Sequence, residues 1–135
     1  LLFGYDAAHS TSWEQEVIHR RGLATLPVTA VLSDPEGAAR QALAHLHARC
    51  ERLLIHFDVD VIDFTDAPLS ENTGRNYGLP LETAMRALTV VLGSARLSAL
   101  TLTELNPDHG AADGSTLGDF AARLAAALAT APALR

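Results

Sequence analysis

"LLIHFDVDVID", residues 53–63, is the stretch that decides the fold. An unbroken apolar run drives into Asp58 and Asp60, with Asp63 close behind. Such a run is expected of a strand near the centre of a parallel sheet. Three carboxylates at its end either start a loop or hold a cation. Asp58 and Asp60 are two apart, so on an extended backbone they point the same way. Two hard oxygen donors on one side of a strand end suit Mg²⁺ or Mn²⁺. Asp63 reads instead as the residue that orders the turn behind them.

Working outward, residues 1–5 read as a short buried strand. Ser10 or Ser12 is placed to cap a helix over 12–21, which Gly22 stops. "LATLPV", 23–28, is a weaker second strand. Asp34-Pro35-Glu36 is a helix start, with Asp as cap and Pro in the first turn. That helix runs to about Arg49, with Ala39, Leu43, Leu46 and Cys50 on one stripe. Residues 63–78 lack periodicity and form a long loop, a common place for function. Pro80 begins another helix, with Leu81, Ala84, Met85, Leu88, Val91 and Leu92 at helical spacing, ended by Gly93. Residues 97–105 form the next strand. Thr116 with Asp119 makes a capping pair for a last helix, followed by a frayed tail. Strands alternating with helices predict an α/β domain with a mostly parallel sheet and helices on both faces.

The 135 residues suit one domain, and 48% apolar with 19% charged residues describes a globular chain. A net charge of −6 with no basic patch argues against a nucleic-acid partner. No apolar run approaches the roughly 20 residues that span a bilayer. A single cysteine, Cys50, excludes an internal disulfide, and a cytoplasmic location is the expectation. The chain opens on a strand-like run without Met, which predicts that it belongs to a longer protein. All ten basic residues are arginine.

That last fact discriminates among the chemistries of D-x-D. In haloacid-dehalogenase-type phosphatases the motif ends an apolar strand, but a downstream lysine is required, and there is none. In sugar-nucleotide glycosyltransferases D-x-D holds a metal on a diphosphate, and Arg75 and Arg86 could serve the phosphates. A third pattern covers more of the chain. "HFDVDVIDFTDAP", then a glycine-containing loop, "GLPLETAMRAL" and a strand into "LTLTELNPDHG" resemble the C-terminal half of the arginase/agmatinase/formiminoglutamase family, the ureohydrolases. The resemblance runs from about Leu53 to Asp108.

The resemblance implies a three-layer α/β/α fold of the arginase/deacetylase kind, with residues 1–135 the C-terminal portion of a single domain. It implies Asp58 as the carboxylate bridging two Mn²⁺ ions, and Asp60 as a ligand of one. Such a pair lowers the pKa of a shared water, which attacks the guanidinium carbon. Glu104 corresponds to the family's glutamate that pairs with the planar guanidinium. Asn106 and Pro107 shape the turn after the strand. Asn72 and Thr73 lie in a loop that borders the substrate in relatives. A homo-oligomer is expected. The family's other metal ligands come from a G-G-D-H-S-type segment and a D-A-H-x-D segment, and neither occurs here. "YDAAHS", 5–10, has the wrong spacing and reads as a loop after a strand. Phe64 stands where the family has proline, and the loop that follows is not the common arginase form, so the guanidino compound stays open. The intact protein is expected to hydrolyse a linear C–N bond, the fragment to be inactive alone. The competing reading is a non-enzymatic homologue used as a binding or assembly module. His56 reads as a core histidine, His45 or His47 as solvated, and His109 as a residue near the mouth of the site.

Overall fold

The computed structural model describes residues 1–74 and 76–132. Arg75 and the last three residues of the tail lie outside the described residues. Among the described residues nine strands and α-helices run in the expected alternation, with one added helix, and a single 3₁₀ turn follows each of the last two strands. Strand β1 (Leu2–Tyr5) leads to helix α1 (Ser12–Arg21). Neither serine caps α1. Thr11 does, in a capping box with Glu14, and Gly22 closes the helix in the left-handed region at φ 59°. Strand β2 (Thr25–Pro27) is followed by a short helix not foreseen from the sequence, α2 (Val28–Ser33). Six residues offer no second turn of periodicity to read.

Helix α3 (Pro35–His47) starts as expected: the Asp34 carboxylate accepts from the Gly37 amide at 2.8 Å. Its buried face is Ala38, Ala39 and Ala42. Leu43, Leu46 and Cys50 are only half-buried, so the stripe is rotated toward the small residues that let α4 approach. Helix α4 (Leu81–Leu92) buries Leu81, Ala84, Met85, Leu88 and Leu92, as its spacing predicted, whereas Val91 of the same stripe is half-buried. Helix α5 (Ser115–Ala129) is not capped by Thr116 and Asp119. Its N-cap is Gly114 in the left-handed region. Thr116 Oγ1 instead accepts from the Ala111 amide, and Asp119 pairs with Arg123.

Strand β3 (Leu53–Asp58) pairs in parallel with β4 (Leu97–Thr103), and β1 pairs in parallel with β2. Among the described residues these are two separate two-stranded sheets, not one continuous sheet. Helices α3, α4 and α5 pack in a layer, and Phe57 of β3 stacks on Phe120 of α5 at 6.4 Å between centroids. Two ion pairs tie this layer together. Arg86 of α4 grips Glu36 of α3 with two hydrogen bonds, and Arg123 of α5 reaches Glu82 of α4. On β3, Leu53 and Phe57 face the layer and are buried, whereas Leu54 is 77% exposed and His56 is exposed. The expectation of a core histidine at His56 is therefore corrected. No described residue covers that face, and His56 bonds instead to Thr101 and Thr103 of β4 at 2.9 and 3.2 Å.

Candidate metal and substrate site

Strand β3 ends at Asp58, and the chain does not stay extended. Val59–Val61 form a single 3₁₀ turn. The alternation argument for Asp58 and Asp60 thus fails in its premise, because Asp60 lies inside the turn. Both residues nevertheless line one cleft of about 680 Å³. Asp58 and Asp60 are half-buried, and one oxygen of Asp58, Oδ1, is fully so. The 3₁₀ turn is held from behind. Leu79 N donates to Val61 O at 2.8 Å, and Asp63 N to Leu79 O at 2.9 Å. Asp63 is the loop former it was expected to be. Its Oδ1 accepts from the amide and hydroxyl of Thr65 at 2.8 and 2.6 Å, and its carbonyl from Asp66 and Ala67.

The loop after β1 reaches the same cleft, a neighbour the sequence did not announce. Asp6, His9 and Tyr77 line it beside Asp58 and Asp60. The His9 ring stacks on Tyr77 at 3.9 Å and lies 2.6 Å from Asp6 Oδ2. That hydrogen bond holds the Asp6 carboxyl below its ordinary value, with the Ala8 amide adding to the effect. The only hint in the sequence was "YDAAHS" itself, since Tyr77 is distant along the chain.

Glu104 follows β4 directly. Asp58 is in register with Thr103, so the two strand ends are level. Glu104 is exposed, has φ 59°, and does not line the cleft of Asp58 and Asp60. Left-handed backbone at a residue other than glycine is uncommon and costs energy. Here it is fixed by pairing of segment 69–71 with 104–106. Glu71 N donates to Glu104 O at 2.8 Å, and Asn106 N to Leu69 O at 2.7 Å. Asn106 caps the next turn through the Asp108 amide, and Pro107–His109 form that turn. His109 is bound to the Ser70 carbonyl at 2.9 Å and packs edge-on against Phe64, which makes it part of this loop's frame. His45 and His47 are both half-buried, and His47 reaches Ser94 at 3.0 Å. Arg86 is engaged by Glu36 and lines no part of the cleft, so it gives no support for a diphosphate there, and Arg75 lies outside the described residues.

A sequence model of the arginase family matches residues 2–131. The chain belongs to the arginase family. Solved structures agree in fold. Arginase from Bacillus caldovelox superposes with a TM-score of 0.79 at 19% identity, over 94% of this chain and 41% of that one. Formimidoylglutamase from Bacillus subtilis gives 0.79 at 13%, over 96% and 41%. Formiminoglutamase from Trypanosoma cruzi, solved with Mn²⁺, gives 0.74 at 15%, over 96% and 44%. This arginase-family chain therefore spans less than half the length of the structures it resembles. No curated protein matches it.

The donors present suit part of a metal site. Asp58 and Asp60 are hard oxygen donors on one rim, appropriate to Mn²⁺ or Mg²⁺. Among the described residues, no group of three or more His, Cys, Asp or Glu side chains is arranged to hold an ion. Asp58 and Asp60 by themselves therefore do not make a closed ligand set. No helix among the described residues is long and apolar enough to cross a membrane.

Proposed function

We propose that residues 1–135 are the C-terminal portion of a single-domain, manganese-dependent hydrolase that cleaves a linear C–N bond in a guanidino or amidino compound. The observation that carries this reading is the level ending of β3 and β4, which sets Asp58, Asp60 and Glu104 at one end of the strand pair in an arginase-family chain. Asp58 and Asp60 would hold the metal, with Asp58 the bridge between two ions. Bound there, the metal supplies Lewis acidity and lowers the pKa of a water. Glu104 would orient the substrate, since a carboxylate matches the guanidinium fork in geometry and charge. Its constrained backbone is consistent with a positioned group.

The remaining ligands are expected outside these residues, so the 135-residue piece is inactive alone and binds Mn²⁺ weakly. The intact protein is cytoplasmic and homo-oligomeric in this reading, without a nucleic-acid or membrane partner. Arginine, agmatine and formiminoglutamate are the substrates to screen, because two kinds of relative, arginases and a formimidoylglutamase, share the fold.

The test is Asp58→Asn in the intact protein, assayed with Mn²⁺ over that panel. Activity is expected to fall by at least about 100-fold, on the scale of losing a metal-site group, with a matching loss of bound manganese. A variant that kept both its metal and its rate would remove Asp58 from the site. Urea release at an ordinary enzyme rate by residues 1–135 alone would overturn the reading of the chain as a part.

A further inference from the structure

Glu104 is held by a device that its own strand does not supply. It lies one residue past β4, with its backbone in the left-handed region at φ 59°. A side chain other than glycine is strained there, and keeps that shape only where its surroundings enforce it. The enforcement comes from loop 63–78. Ser70 forms an isolated antiparallel bridge with Leu105. Two backbone bonds flank the bridge, Glu71 N to Glu104 O and Asn106 N to Leu69 O. A two-stranded ribbon this short is marginal in water on its backbone bonds alone.

A side chain locks the ribbon. The Glu71 carboxylate, through Oε2, accepts from Asn106 Nδ2 at 2.6 Å. A hydrogen bond to a carboxylate is about twice as strong as one between neutral groups. The Asn106 amide is fixed in the orientation this bond needs. Its Oδ1 accepts from the Asp108 amide at 2.9 Å, which leaves Nδ2 to donate toward Glu71. Nδ2 also faces His109 Nε2 at 3.4 Å. His109 gives its Nδ1 proton to the Ser70 carbonyl at 2.9 Å, since a carbonyl can only accept. Asn106 thus uses donors and acceptor alike to tie loop 63–78 to the turn after β4. Glu71 itself is exposed and does not line the cleft of Asp58 and Asp60.

We propose that Glu71 is a positioning residue: its bond to Asn106 holds Glu104 in the left-handed conformation that presents the Glu104 carboxylate to a guanidinium or amidinium group. The proposal rests on the hydrolase reading for the identity of that group, whereas the hold on the backbone is independent of it. Without the bond, Glu104 relaxes toward an ordinary negative φ, which turns its side chain away from where the ribbon keeps it. A misplacement of about 1 Å can cost about 100-fold in rate. The role needs only a hydrogen-bond acceptor at position 71, so Glu71→Gln keeps it and Glu71→Ala removes it. A direct attraction for a cationic substrate would need the charge, and both variants would then lose it.

The test compares these two variants with the unaltered intact protein loaded with Mn²⁺. Position 71 is exposed, so neither substitution removes a buried contact. Three quantities are measured: kcat/KM over arginine, agmatine and formiminoglutamate, bound manganese, and hydrogen–deuterium exchange by mass spectrometry over segments 69–73 and 104–106. Glu71→Ala is expected to lower kcat/KM about 100-fold and to leave manganese unchanged. Exchange at the Glu71 and Asn106 amides is expected to speed up about tenfold in it, as the ribbon opens more often. Glu71→Gln is expected to match the unaltered protein in all three. Equal losses in the two variants would make the charge the active feature and overturn the proposal. So would full activity in Glu71→Ala, or exchange in it that stays the same. Loss of manganese in Glu71→Ala would place the residue at the metal and overturn it equally. An unaltered protein that hydrolyses none of the three compounds would sink the hydrolase reading instead, and the exchange rates would still decide whether Glu71 holds the Glu104 backbone.

Discussion

At the scale of single residues, the site depends on groups that shape backbone as much as on those with chemistry. Gly78 is the clearest. A Cβ there would lie 2.5 Å from Asp63 N and 2.6 Å from Ile62 C and Val61 O. These are backbone atoms and cannot swing aside, so the 3₁₀ turn holding Asp60 closes only over a hydrogen. Gly78→Ala is expected to destabilise the chain by about 1–3 kcal/mol, as overpacking does, seen as a lower urea midpoint. Asp6 offers a second test. Its hydrogen bond from His9, aided by the Ala8 amide, favours the ionised carboxylate. A lowered folded value means that the stabilisation is complete above the ordinary 3.8 and is lost as pH falls through the folded value. His9→Ala should therefore raise the Asp6 titration midpoint, followed by carboxyl carbon NMR. A midpoint that did not move would show that His9 is not the cause.

At the scale of elements, the long loop 63–78 works as a brace. Helix α4 has no cap from its own N-cap residue, Pro80. The cap comes from Asp66 in that loop, whose carboxylate accepts from the Leu81 amide at 2.7 Å. Asp66→Ala should cost about 1 kcal/mol, the usual worth of a lost N-cap, measurable by thermal melting. Helix α5 is attached more heavily. Phe120 is 1% exposed and stacks on Phe57 of β3. Phe120→Ala should cost about 3–5 kcal/mol, enough to unfold much of a marginal domain in a denaturant titration. Both elements steady the strand that carries Asp58, one through the loop behind it and one through the face beneath it.

At the scale of the whole molecule, the chain has one finished face and one open one. Leu53 and Phe57 are buried against helices, while Leu54 stands 77% exposed on the same strand. In the 135-residue chain Leu54→Ala is expected to change stability by less than about 0.5 kcal/mol, as for an ordinary surface site. In a longer protein that covers this face, the same substitution should cost about 2–5 kcal/mol. Equal small effects in both would mean that nothing packs there. The two-sheet arrangement belongs to this scale as well: each pair is parallel with one break in its register, and no strand among the described residues joins the two pairs.

Strong local signals were legible without the fold. Asp34-Pro35 started a helix, Gly22 ended one, and the apolar run 53–58 was a strand, because caps, fixed φ and continuous apolarity act within a few residues. The order of D-x-D-x-x-D and E-x-N-P also announced the family that the match over residues 2–131 shows. Weaker local cues misled where tertiary contacts outweighed them. Thr116 and Asp119 had the spacing of a cap, yet each found a better partner in space. His56 had the surroundings of a core residue, but burial depends on what lies across the sheet face. The meeting of Asp6, His9 and Tyr77 with Asp58 and Asp60 was decided by the fold alone. Side chains separated by some seventy positions leave no periodic trace in the sequence; only the packing of β1 against the turn after β3 brings them to one cleft.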